Sequence, residues 1–438
     1  MGDLTSLRKD RGVKARRTGA LGIVYQGVYA VSQLVGLGML VRYVGKEQYG
    51  LWMTVLAVAA WIPMANLGQT SALLTNLGAV ALTDRSAANK MFSASTLLVV
   101  GSSTLLILTL VLANPFIPWG TLLNAEGVAT DSSVGDVTVA ALIVSLAALP
   151  AGMGAFAVFA HQRGDLVHMI MSADALFSLG AAGVAIWLHQ PLWLVGAITL
   201  SGPLLGGITL WILGLANGLV PRTRWALVDW NTLKSVLKAG FMFLLVDTTT
   251  LVFLRTPDVI VAHIHGVDAV GPFASVGRLP LLMMAIFLAL LLPYWPALCE
   301  ATHRGDHGWV RRIALRTLVM IIGLWGLGAM GIWLLGAFFV HLWTGSSEFS
   351  SPSLIAAACV QSLGLGLLAW LSVFLSALSL QRQLVLAAGV ASLVFLPLAF
   401  YLGNQFGPVG VALAQAGALL FCAFPLGGMA LYRKLAQG

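Results

Sequence analysis

Long apolar runs dominate the chain, and short polar segments separate them. Most of these runs reach or exceed the about 20 residues that an α-helix needs to cross the hydrocarbon core of a membrane. We place twelve spans, at residues 19–41, 49–82, 91–114, 137–160, 166–188, 192–216, 239–264, 272–298, 314–340, 353–379, 384–403 and 409–432. The pattern predicts an all-α integral membrane protein with about 12 transmembrane helices.

The longest basic loop divides these spans into two sets of six. Each set carries a G-x4-G pattern, Gly45–Gly50 after the first span and Gly266–Gly271 after the seventh. Equivalent placement favours a parallel repeat about an axis along the membrane normal, a plan in which substrate is handled between the halves. We therefore expect a basic N-terminal tail (1–18), a six-helix bundle (19–216), a linker (217–238), a second six-helix bundle (239–432) and a C-terminal tail (433–438).

Composition and charge agree with the membrane assignment. Of 438 residues, 59% are hydrophobic and only 9% are charged, whereas soluble chains carry about 25% charged residues. With a cytoplasmic N-terminus, 20 of the 24 Lys and Arg residues lie on the inner side, as the positive-inside rule requires. We expect a multi-pass protein of a bacterial inner membrane with both termini cytoplasmic. The net charge of +8 is thus explained by topology, and no nucleic-acid partner is expected.

Four formal charges fall inside two neighbouring spans, which indicates a polar function. Asp247, Arg255, Asp258 and Arg278 lie in spans seven and eight, although a charge at the bilayer centre costs about 2.5–3.5 kcal/mol on insertion scales. Asp247 opens an Asp-Thr-Thr-Thr run whose successive positions turn by about 100° on a helix. Part of this run must meet water or substrate, so a function is favoured over a neutral or paired Asp247. For Asp174 in span five, the functional and the structural interpretations remain equally open.

The two arginines admit more than one interpretation. Arg255 and Asp258 are three residues apart and can pair along a helix, while Pro257 between them interrupts the backbone hydrogen bonds. A structural ion pair is the favoured interpretation of Asp258. Arg278 either extends its charge outward to the interface or offers a guanidinium fork to phosphate oxygens in a cavity.

Polar side chains also follow one face of the first span and recur in the second. Gln26, Tyr29 and Gln33 have helical spacing, and Asn66 begins a similar group in span two. These residues either hydrogen-bond between helices, at about 0.6 kcal/mol per contact, or line a polar cavity; both interpretations remain open.

Other chemistry is not indicated. Glu300, His303 and His307 have metal-like spacing, but Gly305 interrupts their helix, so no metal is expected. No Gly-Lys-Ser/Thr phosphate loop occurs, and ATP hydrolysis by this chain is therefore not expected. We expect no cofactor and, in the absence of an extramembrane catalytic domain, no enzymatic activity.

Several short motifs resemble those of one family of membrane proteins. The run from Tyr294 to Arg312 is similar to the pattern LWPAY-x-EA-x-x-RGD-x-x-W of the bacterial oligosaccharide flippases of the O-antigen type. The segment Asp258–Gly266 resembles the D-x-x-I-x-x-x-x-G segment of the same family, and Arg42–Trp52 resembles its R-x-LG-x-x-x-YG-L-W segment. These flippases are polysaccharide transporters of the multidrug/oligosaccharidyl-lipid/polysaccharide (MOP) exporter superfamily. The resemblance covers most of the chain through the order of the spans.

The resemblance implies a MATE-like fold and a specific function. It implies a flippase that moves lipid-diphosphate-linked oligosaccharide, a polysaccharide or lipopolysaccharide precursor, from the inner to the outer leaflet by alternating access. Membrane lipids, a coupling cation (H+ or Na+) and other polysaccharide-assembly proteins are the further partners implied. The implied roles are diphosphate binding for Arg255 and Arg278, substrate binding for Gln26, Tyr29, Gln33 and Asn66, and ion coupling for Asp247 and Asp174.

Two alternatives remain open. A cation-coupled multidrug antiporter of the same superfamily would favour acids over arginines in its cavity. A membrane polysaccharide polymerase would need a large outer catalytic loop, and the segment from Asn114 to Gly135 is small for that role.

Overall fold

The computed structural model describes residues 2–73, 77, 84–125, 127, 130–161, 163–225, 228–291, 294–303 and 305–436, and their regular structure is entirely helical. The α-helices are α1 (Gly2–Ala59), α2 (Arg85–Ala113), α3 (Trp119–Leu122), α4 (Asp131–Ala160), α5 (Gly164–Trp187), α6 (Leu192–Leu200), α7 (Gly202–Ala216), α8 (Trp230–His265), α9 (Val267–Leu291), α10 (Tyr294–His303), α11 (His307–Thr344), α12 (Pro352–Ala377), α13 (Gln381–Phe406), α14 (Pro408–Ala418) and α15 (Phe424–Ala436). A π-helical turn, Leu419–Ala423, connects α14 to α15.

The helices confirm the predicted membrane architecture. Among the described residues, eleven helical segments are long and apolar enough to cross a membrane. The first of them, Val24–Asn66, has 43 residues, about twice the length that one crossing needs. It is divided at Gly45, whose backbone is not helical (φ 79°, ψ 177°). Counting it as two spans gives the expected twelve, and the protein is a multi-pass membrane protein.

The predicted second span, 49–82, is not one continuous helix. Helix α1 ends at Ala59, and a 3-10 turn, Ile62–Asn66, follows. Pro63 in this turn cannot donate a backbone hydrogen bond, and Leu67 adopts a left-handed conformation (φ 55°). Residues 69–73 are helical again, while 74–76 and 78–83 lie outside the described residues. The sequence pattern showed the hydrophobicity of this span but not its break.

Two other predicted spans are also divided. The sixth, 192–216, consists of α6 and α7, which are separated at Ser201, two residues before Pro203. The eighth, 272–298, corresponds to α9, which ends at Leu291; Tyr294 then begins the separate helix α10. Hydropathy alone cannot locate such breaks, because the residues at them remain apolar.

Aspartates cap the N-termini of three long helices. Asp84 and Asp229 each accept a hydrogen bond of 2.8 Å from a backbone N–H at the start of α2 or α8, and Asp306 accepts one of 2.9 Å at the start of α11. Hydrogen bonds from Lys90 and Thr232 hold the pKa of Asp229 well below its usual range. Asp306 belongs to the Arg-Gly-Asp part of the Tyr294–Arg312 run, and in the structure it is a helix cap.

The chain forms two compact units. Unit 1 comprises Met1–Gly45, Val58–Leu122 and Glu126–Asp247, and unit 2 comprises Lys46–Ala57, Leu123–Ala125 and Thr248–Gly438. In unit 1, Gln69 is fully buried and joins two helices: it donates to the Val236 carbonyl of α8 and accepts from Ser95 of α2. In unit 2, α12 is the central helix, since 72% of its apolar stretch is buried.

Both G-x4-G patterns use their glycines in the same way. Gly45 and Gly266 both have φ of 79°, a conformation that glycine adopts without steric penalty. Within unit 2, a Cβ atom on Gly50 would lie 2.0 Å from a backbone carbonyl oxygen of α9, and one on Gly271 would lie 3.2 Å from the Tyr49 ring. In each pattern the first glycine breaks the helix and the second permits close packing; the repeat itself stays a prediction.

Candidate functional site

Unit 2 contains a cavity lined by charged side chains from two helices. Arg255 and Asp258 reach it from α8 and Arg278 reaches it from α9, while α12 and α14 complete the wall. We call it the two-arginine cavity; its volume is about 30 Å³. The structure thus brings together the two arginines that the sequence analysis singled out.

The charges at this cavity do not cancel. Both arginines lie close enough to Asp258 to interact with its charge. Asp258 therefore interacts with both arginines and does not form a simple i, i+3 ion pair with Arg255 alone. Two guanidinium groups and one carboxylate leave a formal excess of one positive charge among the charged lining residues. All three side chains are partly buried, where solvent screens charges less than at an open surface.

A proline explains how α12 and α14 contribute to this cavity. Pro257 lies inside α8, so the carbonyl of Phe253, four residues earlier, loses its helical hydrogen-bond donor. Gln415 of α14 donates to that carbonyl at 2.7 Å, and Gln361 of α12 donates to the Gln415 side-chain oxygen. The two glutamines are buried and hold α8, α12 and α14 together beside the arginines.

Neither glutamine was identified by sequence reasoning. Gln361 and Gln415 also line the two-arginine cavity. The available signal was an isolated amide in each of two otherwise apolar spans, because such polar residues usually face the interior of a helix bundle. A third missed residue is Tyr49, noted only as part of a motif. Its buried hydroxyl lies 3.4 Å from Ser275 Oγ and is close enough to Arg278 and Asp258 to interact with their charges.

The polar face of the first span is exposed. Gln26, Tyr29 and Gln33 are all exposed, so they do not behave as buried interhelical hydrogen-bonding residues. The Tyr29 ring lies 5.9 Å from that of Tyr25, which stacks on His168 of α5 at 5.6 Å. The structure thus favours an accessible polar face over interhelical bonding for these three residues.

Asn66 occupies a different environment. It is 7% exposed, and its side-chain oxygen accepts from the Gly68 backbone N–H at 2.6 Å. Its amide nitrogen donates to Thr70 Oγ1 at 3.2 Å. These bonds stabilise the break between α1 and the helical residues that follow. Substrate binding by Asn66 stays a prediction, and the contacts present are structural.

Asp174 lies beside the break between α6 and α7. Its carboxylate interacts with the backbone N–H of Gly206, and a Cβ atom on either Gly202 or Gly206 would lie 3.1 Å from Asp174 Oδ2. The absence of side chains on both glycines lets the carboxylate approach the first turns of α7, where the helix dipole favours negative charge. The Ser178 hydroxyl is buried nearby and has no hydrogen-bond partner among the described residues.

Asp247 is the last residue of unit 1 and lies in the middle of α8. Its side chain is exposed, whereas the next two threonines of the Asp-Thr-Thr-Thr run are partly buried. The run therefore presents some of its polar groups outward, as the helical rotation predicts.

The metal-like group of the sequence analysis is only partly described. The side chains of Glu300 and His303 and the whole of Arg304 lie outside the described residues. Among the described side chains, no three His, Cys, Asp or Glu residues are close enough together to hold a metal ion.

Sequence comparison and structural comparison give different results. The sequence matches no protein-family model and no curated protein. The lipid II flippase MurJ, in an inward closed conformation, has a similar structure, with a TM-score of 0.72 and 13% identity over 94% of this chain and 87% of MurJ. A mutant form of the MATE transporter VcmN of Vibrio cholerae gives a TM-score of 0.69 and 15% identity, over 100% of this chain and 99% of that one.

A third similar structure belongs to Pyrococcus furiosus. This MOP-superfamily transporter gives a TM-score of 0.66 and 15% identity over 97% of this chain and 96% of its own. Its binding pocket is described as having reverse polarity, which suggests a different function. The present chain therefore has the fold of MATE and MurJ transporters, and the predicted MATE-like fold is confirmed. The narrower resemblance to O-antigen flippases stays a prediction.

Proposed function

We propose that this protein is a flippase that moves a lipid-diphosphate-linked oligosaccharide from the inner to the outer leaflet of a bacterial plasma membrane. The observation that supports this substrate most directly is the two-arginine cavity, where Arg255 and Arg278 outnumber the single Asp258. A diphosphate that enters a partly dehydrated site needs compensating positive charge. Arginine suits this role because its planar fork can bind two phosphate oxygens at once.

The rest of the polar surface has a place in this scheme. The exposed face of Gln26, Tyr29 and Gln33 offers amide and hydroxyl groups to sugar hydroxyls, while the carrier lipid remains in the bilayer. Asp174 and Asp247 are the proposed sites for a coupling cation, H+ or Na+. Alternating access, the general mechanism of such two-lobed transporters, would move the polar head group across the membrane.

A cation-coupled multidrug antiporter is the second candidate, because MATE transporters share the fold. The carboxylates of Asp174 and Asp247 favour this candidate. The two-arginine cavity opposes it, since a cationic drug would meet an excess of positive charge there.

Reconstituted transport can distinguish these two functions. The purified chain in liposomes should speed the movement of undecaprenyl diphosphate carrying a fluorescent disaccharide, compared with protein-free liposomes. Dithionite quenching of the outer-leaflet probe measures this movement. Transport of ethidium driven by a cation gradient, without movement of the lipid-linked probe, would support the antiporter and overturn the proposed substrate.

The proposed topology, with both termini cytoplasmic, has its own test. We expect a cysteine in place of Leu122 to react with an impermeant maleimide from outside intact cells, and a cysteine in place of Trp230 to react only after the inner side is opened. Both side chains are well exposed, at 61% and 73%. The three native cysteines, Cys299, Cys359 and Cys422, are first replaced by alanine. The reverse labelling pattern would contradict the sorting of basic residues.

A further inference from the structure

Unit 2 contains a second cavity, far more apolar than the first, between α11, α12 and α15. Its volume is about 340 Å³, which falls at the lower end of the range of about 300–1,000 Å³ typical of small-molecule sites. Arg311, Leu315 and Leu318 line it at helical spacing from α11, and Gly428 and Tyr432 line it from α15. None of its lining residues belongs to the two-arginine cavity.

Closely packed aromatic side chains form one wall of this apolar groove. Trp370 of α12 is 4% exposed, and its indole N–H donates to Thr317 Oγ1 of α11 at 3.0 Å. Its ring lies 4.7 Å from that of Phe374 and 6.2 Å from that of Phe424. Gly428 meets nothing within 4 Å of the position that a Cβ atom would occupy. The groove therefore combines close aromatic packing at Trp370 with open space beside Gly428.

Positive charge gathers at one end of the same helices. Arg311, Arg312 and Arg316 lie in the first turns of α11, and Arg433 and Lys434 lie in the last turn of α15; all five side chains are exposed. Of these, Arg311 lines the groove itself. This apolar groove, with Arg311 at one end and the other basic residues on the same helix ends, is complementary to a molecule with a hydrocarbon chain and an anionic head. Basic pockets between transmembrane helices bind anionic lipid head groups in this way.

We propose that this groove is a binding site for one anionic glycerophospholipid. An acyl chain lies along Leu315, Leu318 and the open space at Gly428, and the head-group phosphate pairs with Arg311. Arginine suits this position because its guanidinium can bind two phosphate oxygens while its stem packs on apolar surface. The site is separate from the proposed transport cavity, so the assignment does not depend on which substrate is transported.

Native mass spectrometry of the full chain, released from nanodiscs that contain equal amounts of phosphatidylglycerol and phosphatidylcholine, tests this site. We expect one phosphatidylglycerol to remain bound to the wild-type protein in preference to phosphatidylcholine. Gly428→Leu fills the groove and should lower the fraction of protein with bound phosphatidylglycerol about tenfold or more, because the acyl chain of the lipid loses most of its apolar contact. Arg311→Gln should leave a bound lipid but remove the preference for phosphatidylglycerol.

The matched control is Gly389→Leu on α13, where a Cβ atom likewise meets nothing within 4 Å and which does not line the groove. This variant should retain phosphatidylglycerol as the wild type does. Equal retention by Gly428→Leu and the wild type would overturn the proposal. So would equal binding of both phospholipids by the wild type, or displacement of phosphatidylglycerol by an equimolar amount of undecaprenyl phosphate.

Discussion

Replacing Arg278 with Gln is expected to abolish most transport of a lipid-diphosphate substrate while the protein remains inserted and folded. In the two-arginine cavity this change removes one of two positive groups and leaves Arg255 balanced by Asp258. Hydrogen bonds to charged groups contribute about 1.5–3 kcal/mol, which corresponds to a loss of about tenfold to a hundredfold in substrate affinity. Arg278→Lys should reduce transport less, because it keeps the charge but loses the fork geometry. Proteoliposome flipping of the fluorescent lipid-diphosphate disaccharide measures both effects.

A structural role for Arg278 predicts a different outcome. If Arg278 only neutralised Asp258, the single variant would leave the partly buried Asp258 carboxylate with Arg255 as its one remaining cationic partner at the cavity and would lower stability. The double variant Arg278→Gln/Asp258→Asn removes that carboxylate charge and returns the cavity to an excess of one positive charge, so under that account it would recover both stability and transport. Diphosphate binding predicts recovery of stability without recovery of transport. Arg382→Gln is the matched control, because Arg382 is exposed and does not line this cavity.

The helical architecture and the choice of arginines could be predicted from the sequence because both depend on local signals. An apolar run of membrane length predicts a span whatever surrounds it, and a charge such as Arg278 inside a span is conspicuous for its cost. The caps at Asp84, Asp229 and Asp306 also follow a local rule, since aspartate accepts hydrogen bonds from the first free N–H groups of a helix.

The three-dimensional grouping of the site could not be predicted in this way. Asp258 and Arg278 lie on different helices, so their shared cavity is a property of packing. Pro257 predicted a freed carbonyl in α8, but only the structure shows that Gln415 of α14 satisfies it. Similarly, Asn66 looked equivalent to the exposed Gln26, and its role in stabilising the backbone break depends on a turn that the hydrophobic pattern did not show.

The carboxylate of Asp174 is expected to make transport dependent on a cation gradient. Asp174 and the Ser178 hydroxyl, which is buried and has no hydrogen-bond partner among the described residues, both face Gly202. Their oxygens are the kind of ligand that a small hard cation prefers. Asp174→Asn keeps the shape of the side chain and removes its charge. We expect flipping in proteoliposomes to lose its response to an imposed Na+ gradient at fixed pH, or to a pH gradient at fixed Na+, whichever drives the wild type. Ser178→Ala should weaken the same response several-fold without abolishing it.

The variant Asp247→Asn helps to distinguish a role of Asp174 in cation coupling from a purely structural role. Its side chain is exposed, whereas that of Asp174 is partly buried against α7. If Asp174 only interacted with the helix dipole, its replacement would lower the free energy of unfolding by about 0.3–1 kcal/mol. The melting temperature would fall slightly, and the gradient response would stay intact. Loss of that response in Asp247→Asn but not in Asp174→Asn would transfer the coupling role to Asp247. Loss in both variants, with normal protein abundance, would indicate that the two carboxylates act in the same transport cycle.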